Sequence, residues 1–352
     1  MFYPSKISSL TRMTTDSVKM ELEVDPIHLH HFNYQAGQHI VIRIPNLNVA
    51  EHRSYSISSA PFENKLQIGI KKQNNGLVSS YLCDRAKEGD IIEIMAPAGN
   101  FILTQKNDPL HLVAFASGSG ITPVISMIKE VLKSAGSTIT LFYGNKDSDT
   151  LMFKSELESL KNEYTTRFEL IHVFSRQRTG SIDLEGRIDA DKIRQWKEYL
   201  FSVNKTSAYL ICGPGNMVET VQAALLNLNI RQDIILTEYF TPPALQVPLQ
   251  DFKPVAVAEG FTIKLKYEGK QYELQSKNNK TVILDMGLKN GIDLPYSCKS
   301  GVCSTCQAKL ISGEVQMDNN YVLSDAELKQ GFILTCQSHT ITSEVVVDYD
   351  VR

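Results

Sequence analysis

Four cysteines carry the chemistry that is easiest to read in this chain. Cys298, Cys303 and Cys306 lie in one short stretch, and Cys336 follows in Leu334-Thr335-Cys336-Gln337, giving C-x4-C-x2-C-x29-C. Two irons bridged by two sulfides need four thiolates. One tight loop can supply three and a distant strand end the fourth, and this is the ligand spacing of a plant-type [2Fe–2S] centre. Gly301 and the small residues around it allow backbone N–H groups to turn toward the sulfurs, which helps to set the potential. A cluster of this kind carries one electron at a time and does no substrate chemistry, so the upstream residues must feed it. Zinc is the competing reading, but structural zinc sites usually take their ligands as two close pairs, and here there is one such pair. A disulfide framework would need an oxidising compartment that nothing else in the chain implies.

The elements that must position this chemistry are bounded by the bulk of the sequence. A length of 352 residues favours two or three domains. The composition, 42% hydrophobic and 21% charged with net charge −3, is that of an ordinary globular protein and gives no reason to expect a nucleic-acid partner. No apolar run approaches the eighteen or so residues of a membrane span, and Met1–Lys6 opens no signal-peptide core. Cys83 and Cys212 stand apart from the quartet, and a reducing cytoplasm is the expected location.

Residues 1–104 read as an antiparallel β domain, a barrel or a sandwich. Short runs at Lys19–Val24, His39–Ile44, Leu66–Ile70 and Ile91–Ile94 are separated by turn signals such as Gly37 and Gly89. Arg53-Ser54-Tyr55-Ser56 lies among them: a guanidinium suits a pyrophosphate, a phenol ring can cover an aromatic face, and a hydroxyl can reach a ring nitrogen. Gly76 then opens a short helix whose first N–H groups suit a phosphate. His28, His30 and His31 read as a solvated loop.

Residues 105–241 change to an α/β pattern. The apolar run His111–Ala116 enters Ser117-Gly118-Ser119-Gly120-Ile121-Thr122-Pro123 and an amphipathic helix, the strand–glycine turn–helix order that offers N–H groups to a dinucleotide. Further strands at Thr138–Tyr143, Phe168–Phe174 and Ala208–Pro214 alternate with helices at Phe153–Leu160 and Asn216–Leu226, which predicts a doubly wound parallel sheet. Residues 242–259, with four prolines, read as an extended linker that would let the last module swing between two docking positions. Residues 260–352 return to short strands around the cysteine loop, with a helix near Thr281–Leu288 capped by Thr281 and followed by Gly291.

In this order the motifs resemble the ferredoxin–NADP⁺ reductase superfamily with a C-terminal plant-type ferredoxin, over nearly the whole chain. Within it the chain resembles the reductase subunits of phenylacetyl-CoA epoxidases, and also reductases of steroid and aromatic-ring hydroxylases. The resemblance implies an FAD barrel, a doubly wound NAD(P) domain and a β-grasp ferredoxin domain. It implies Arg53 on the flavin phosphates, Tyr55 on the isoalloxazine, Ser56 near N5, and Gly76, Val78 and Ser79 around the pyrophosphate. Gly118, Gly120, Thr122 and Pro123 are implied at the nicotinamide nucleotide, and Cys212 beside it with Gly213, Pro214 and Met217 in support. Glu238 and Phe240 are implied at the flavin–nicotinamide junction, although a strand-end carboxylate is usually solvated.

The implied activity is hydride transfer from NADPH to FAD and release of single electrons through the cluster to an oxygenase component. Ser56, Thr122, Cys212 and Glu238 are the residues expected nearest the reacting atoms. NADPH is preferred over NADH because Ser175-Arg176 offers a hydroxyl and a guanidinium to a 2′-phosphate, and no acidic residue stands in Phe174–Arg178 to hold a free ribose. Acceptors other than the epoxidase remain open: another hydroxylase, a desaturase or a haem monooxygenase. A non-enzymatic redox carrier or sensor with a vestigial nucleotide domain also remains open.

Overall fold

A computed structural model describes residues 1–45, 51–104, 109–197, 206–243 and 260–351. The chain forms two compact units, Met1–Pro243 and Ala244–Arg352. Residues 244–259, most of the expected linker, lie outside the described residues.

The first unit begins with six antiparallel strands: β1 (Phe2–Thr14), β2 (Ser17–Val24), β3 (His39–Arg43), β4 (His52–Ser56), β5 (Leu66–Lys71) and β6 (Ile91–Met95), with helix α1 (Leu77–Asp84) between the last two. Their order is β4-β3-β6-β1-β2-β5, and a bridge from Ile57 to Ile68 closes the ends into a barrel. Closure removes the free edge that an open sheet would expose. Ile7, Met20, Ile40, Ile42, Ile68 and Ile94 fill the interior from alternate positions. His28, His30 and His31 belong to a short 3-10 turn rather than a loop, with His28 and His31 packed on the Tyr3 ring at about 5 Å.

A parallel sheet follows, built from β7 (His111–Ser117), β8 (Thr138–Asn145), β9 (Phe168–Phe174), β10 (Ala208–Gly213) and β11 (Ile235–Tyr239). Helices α2 (Ile121–Leu132), α3 (Lys154–Glu163), α4 (Ala190–Gln195) and α5 (Gly215–Asn227) join the strands. The order β11-β10-β7-β8-β9 makes a doubly wound sheet, and the order in which strands are added reverses between the parallel neighbours β7 and β10. In such sheets ligands settle at the carboxyl ends of the strands on either side of that reversal. Barrel and sheet share a core: Ala36 and Phe101 pack with Val124, Ile125 and Met127 of α2. Gly37, at φ +100°, has no room for a side chain, because a Cβ would fall 2.0 Å from the Phe101 carbonyl oxygen.

The second unit contains β12 (Phe261–Tyr267), β13 (Lys270–Ser276), β14 (Gln307–Ser312), β15 (Val315–Met317), β16 (Phe332–Leu334), β17 (Ser338–Thr340) and β18 (Glu344–Asp348), with helices α6 (Ile283–Lys289) and α7 (Asp325–Lys329). A mixed five-stranded sheet, β13-β12-β18-β14-β16, packs on α6 in a β-grasp arrangement. The N-cap of α6 is Val282, one residue later than expected, and it caps without a side-chain bond. Gly291 takes the left-handed conformation just past its end, as the sequence predicts. Among the described residues no helix is long and apolar enough to cross a membrane.

Candidate functional site

The strand reversal brings together residues that are far apart in sequence. Ala116 and Cys212 are register partners on β7 and β10, so the two chains leave the sheet side by side. A Cβ on Gly120 would lie 2.2 Å from the Cys212 carbonyl oxygen, so only glycine lets α2 start this close to β10. Gly118 differs: it has φ +54° and open space where a Cβ would be, so its need is conformational. Thr122 and Pro123 are buried in the first turn of α2, and Thr122 Oγ1 donates to the Ser119 carbonyl at 2.9 Å.

Thr122 also reaches the barrel. A Cβ on Gly69 of β5 would fall 2.7 Å from Thr122 Cγ2 and 2.7 Å from the Phe153 ring. The antiparallel bridge from Ile57 to Ile68 sets Ser56 across from Gly69. Barrel closure, glycine turn and the end of β10 thus draw Ser56, Thr122 and Cys212 toward one junction. Gly69 is the residue that sequence reading missed here; a glycine inside an apolar strand was the available signal.

Cys212 is fully buried, and its Sγ donates to Glu238 Oε2 at 3.6 Å. The two are register partners on β10 and β11. Glu238 is therefore not the solvated strand-end carboxylate that its position alone implies. Burial pushes its carboxyl up to about 8, against a smaller lowering by the thiol. The Cys212 thiol is raised as well, first by burial and then by Glu238. Behind them, the Phe240 N–H donates to the Gly213 carbonyl at 3.0 Å, Pro214 caps α5, and Met217 Cε lies 3.1 Å from where a Gly213 Cβ would be. Gly215, not singled out in the sequence, leaves room for the Thr241–Pro243 segment, which a Cβ there would strike.

On the barrel, Arg53 sits on β4 with its guanidinium against Glu51 at 2.9 Å and the His52 carbonyl at 2.8 Å. Tyr55 lies on the same strand, and burial holds its phenol well above the usual range, with Cys83 of α1 adding to the rise. Gly76 caps α1 with no side-chain bond, so the first-turn N–H groups meet no capping side chain. Val78 points into the core, and Ser79 Oγ holds the Gln73 N–H at 3.1 Å. What this turn can offer an anion is backbone rather than those two side chains, which fits a flavin pyrophosphate.

Ser175 and Arg176 leave the end of β9, two strands and about 10 Å from the reversal. Their N–H groups donate to the Asn145 and Lys146 carbonyls, and their side chains are exposed. Glu185 takes the neighbouring Arg178 at 2.8 Å and the N–H groups of Thr179 and Gly180.

In the second unit the four cysteines converge. The Cys298 thiol lies against those of Cys303 and Cys336, and Cys336 also meets Cys306. Lys299, Gly301 and Ser304 all have positive φ, which curls the loop around the sulfurs. The Cys298 N–H donates to Cys303 Sγ at 3.4 Å and the Ser300 N–H to Cys298 Sγ at 3.4 Å. Four sulfurs with inward N–H donors fit a [2Fe–2S] group. Among the described residues no set of three His, Cys, Asp or Glu is arranged for a single metal ion.

Comparison with known proteins agrees with this arrangement. Residues 4–102 match the oxidoreductase FAD-binding domain family, residues 115–223 the oxidoreductase NAD-binding domain family, and residues 265–340 the 2Fe-2S iron-sulfur cluster binding domain family. Over its full length the chain is 32% identical to a component protein of the 1,2-phenylacetyl-CoA epoxidase of Escherichia coli K12, covering 98% of that protein. It belongs to the family of FAD- and [2Fe–2S]-dependent oxygenase reductases. Another relative of this reductase is the ferredoxin reductase component of 3-ketosteroid-9-alpha-monooxygenase from Rhodococcus rhodochrous, 30% identical over 93% of this chain and 91% of the relative. Phthalate dioxygenase reductase is similar in structure, with TM-score 0.61 and 25% identity over 99% of this chain and 98% of that one. The reductase is thus an oxidoreductase that uses FAD, a pyridine nucleotide and a [2Fe–2S] cluster, and both the zinc reading and the vestigial-carrier reading give way to it.

Proposed function

We propose that this reductase takes electrons from NADPH and delivers them to the oxygenase component of a phenylacetyl-CoA epoxidase. FAD, when bound, would supply two-electron hydride chemistry, and a [2Fe–2S] group on the four cysteines would supply single-electron transfer. The observation that carries the reading is the junction of Ser56, Thr122 and Cys212, where a flavin barrel meets the strand reversal of a nucleotide sheet. Hydride transfer needs two rings in near contact, and a junction held by close backbone packing gives that position. Thr122 and Cys212 line the nicotinamide side in this reading, Ser56 the flavin side, and Glu238 keeps the Cys212 thiol oriented. Arg53, Tyr55 and the first turn of α1 hold the flavin. Cys298, Cys303, Cys306 and Cys336 ligate the iron.

The preference for NADPH rests on Ser175 and Arg176. Arg178 is engaged by Glu185, whereas no carboxylate among the described residues pairs with Arg176. Asp147, the acidic residue at the end of β8, is occupied in capping its own turn through the Thr150 N–H at 3.0 Å. Arg176→Ala is expected to raise KM for NADPH about 10- to 100-fold, the range of a lost charge-assisted bond, with NADH little changed. An unchanged NADPH/NADH ratio would reject the assignment. Visible spectra before and after anaerobic NADPH test the wider reading: flavin bands and a broad iron–sulfur envelope should bleach together.

The relative that serves a steroid monooxygenase favours a second acceptor class, a ring hydroxylase. Coupled turnover with the purified epoxidase and phenylacetyl-CoA separates the two. Electron delivery to a ring hydroxylase but none to the epoxidase would reject the first.

A further inference from the structure

Gln337 directly follows the fourth cysteine and is buried. Its Nε2 shares two hydrogens among three acceptors, Cys336 Sγ at 3.5 Å, the Lys299 carbonyl at 3.0 Å and its neighbour's carbonyl, Cys336 O, at 3.0 Å. Its Oε1 accepts from Asn319 Nδ2 at 3.1 Å. Asn319 is oriented in turn, because Tyr321 Oη donates to Asn319 Oδ1 at 3.3 Å. The orientation of each amide therefore follows from its partner: the oxygen of Gln337 faces Asn319 and its NH2 group faces the sulfur. The same segment leans on the ligand loop, since the Tyr321 N–H donates to the Gly301 carbonyl at 3.1 Å. Cys298 and Cys303 receive backbone N–H groups, whereas the donor to Cys336 is a side chain and can be replaced by substitution.

We propose that Gln337, oriented by Asn319, is a positioning residue that sets the reduction potential of the [2Fe–2S] group. A donor aimed at a ligand sulfur favours the form that carries one more negative charge, and so raises the potential. One electron enters from reduced flavin and leaves to the acceptor protein; Gln337 exchanges no proton and forms no covalent bond. The inference needs only the iron–sulfur domain. It stands apart from the choice of nucleotide and acceptor proposed above.

The test is a redox titration of the full-length, cluster-loaded protein, read by electron paramagnetic resonance. At a fixed potential near the parent midpoint, Gln337→Leu should lower the ratio of reduced to oxidised cluster about tenfold, the effect of losing one such bond. Gln337→Glu, which turns an acceptor toward the sulfur, should lower it further. Asn319→Ala should lower it less, because the amide keeps its donor but loses its orientation. An unchanged ratio in Gln337→Leu with the cluster retained would overturn the proposal. If that variant does not load, Asn319→Ala decides by the same criterion. Failure of both to load would assign the pair a folding role and equally overturn it.

Discussion

Lys129 Nζ lies 3.1 Å from Glu63 Oε2, across the boundary between the nucleotide layer and the flavin barrel. The same ammonium meets Glu156 Oε1 at 2.5 Å and donates to the Ser58 carbonyl at 3.2 Å. Its side chain is only 7% exposed, so three acceptors compensate a charge taken out of water. One turn earlier, Ser126 Oγ donates to the Ser59 carbonyl at 2.6 Å. Helix α2 thus begins at the glycine turn and is pinned along its length to the loop that follows Ser56.

Removing the ammonium while leaving both carboxylates should separate the two layers. Lys129→Met is expected to cost about 3 kcal/mol, the usual penalty for breaking a buried pair from one side. Hydride transfer should slow along with it, because Thr122 rides on the same helix. Denaturant melts and stopped-flow bleaching of the flavin measure the two effects. Parent-like stability would mean that the shared apolar core alone holds the layers.

Glu238 gives a pH dependence whose sign can be worked out. Its folded carboxyl is raised to about 8, while unfolded it returns to the usual carboxylate range. Between those values the native state holds a proton that the unfolded state has lost. Stability therefore falls as pH rises from about 4.5 to about 8, and levels off above that. Glu238→Gln removes the slope and should be more stable than the parent at pH 8, by on the order of 2 kcal/mol after allowing for partial exposure. Thermal melts of the two proteins from about pH 5 to about pH 9 decide it: parallel curves would show that the carboxyl titrates normally.

The doubly wound layer was legible because its central strands are continuous apolar runs with glycine at their ends. His111–Ser117, which runs into Gly118, and Ala208–Gly213 announce themselves. Strand β1, the longest in the barrel, did not. Its alternate inward positions include Ser5, buried with its hydroxyl on the Glu23 carbonyl, so the apolar period is broken where the strand is most central. The cysteine quartet and the glycine turn could be read from spacing. Lys129 and Gln337 could not, because each acts on a partner more than thirty residues away and carries no local signature, and Gly69 showed only as a glycine inside an apolar strand.

Gly120 should tolerate no side chain. The 2.2 Å approach to the Cys212 carbonyl is to backbone, and no rotamer can relieve it. Gly120→Ala must push the start of α2 off β10, and a displacement of about 1 Å at a reacting centre slows transfer about 100-fold. Gly118, where a Cβ meets nothing, should accept asparagine, which tolerates the left-handed conformation, with little loss. Flavin content should stay at parent levels in both, since the barrel is untouched. Rapid flavin bleaching in Gly120→Ala would show that the turn does not position the nucleotide.

Cys336→Ser separates the two halves of electron transfer. Cys336 is the one cysteine of the quartet outside the loop, so serine there removes a thiol without replacing any residue of the positive-φ turns at Lys299, Gly301 and Ser304. The iron–sulfur envelope should be lost or strongly shifted. Flavin bleaching by nucleotide should keep its parent rate, because Met1–Pro243 is a compact unit that contains Ser56, Thr122, Cys212 and Glu238, the residues proposed for hydride transfer. Reduction of ferricyanide, which takes electrons from flavin, should persist, while electron delivery to the oxygenase component should fall at least about tenfold, as expected for a lost obligatory carrier. Undiminished delivery would mean that the acceptor draws electrons from the flavin directly, and that the cluster lies off the path.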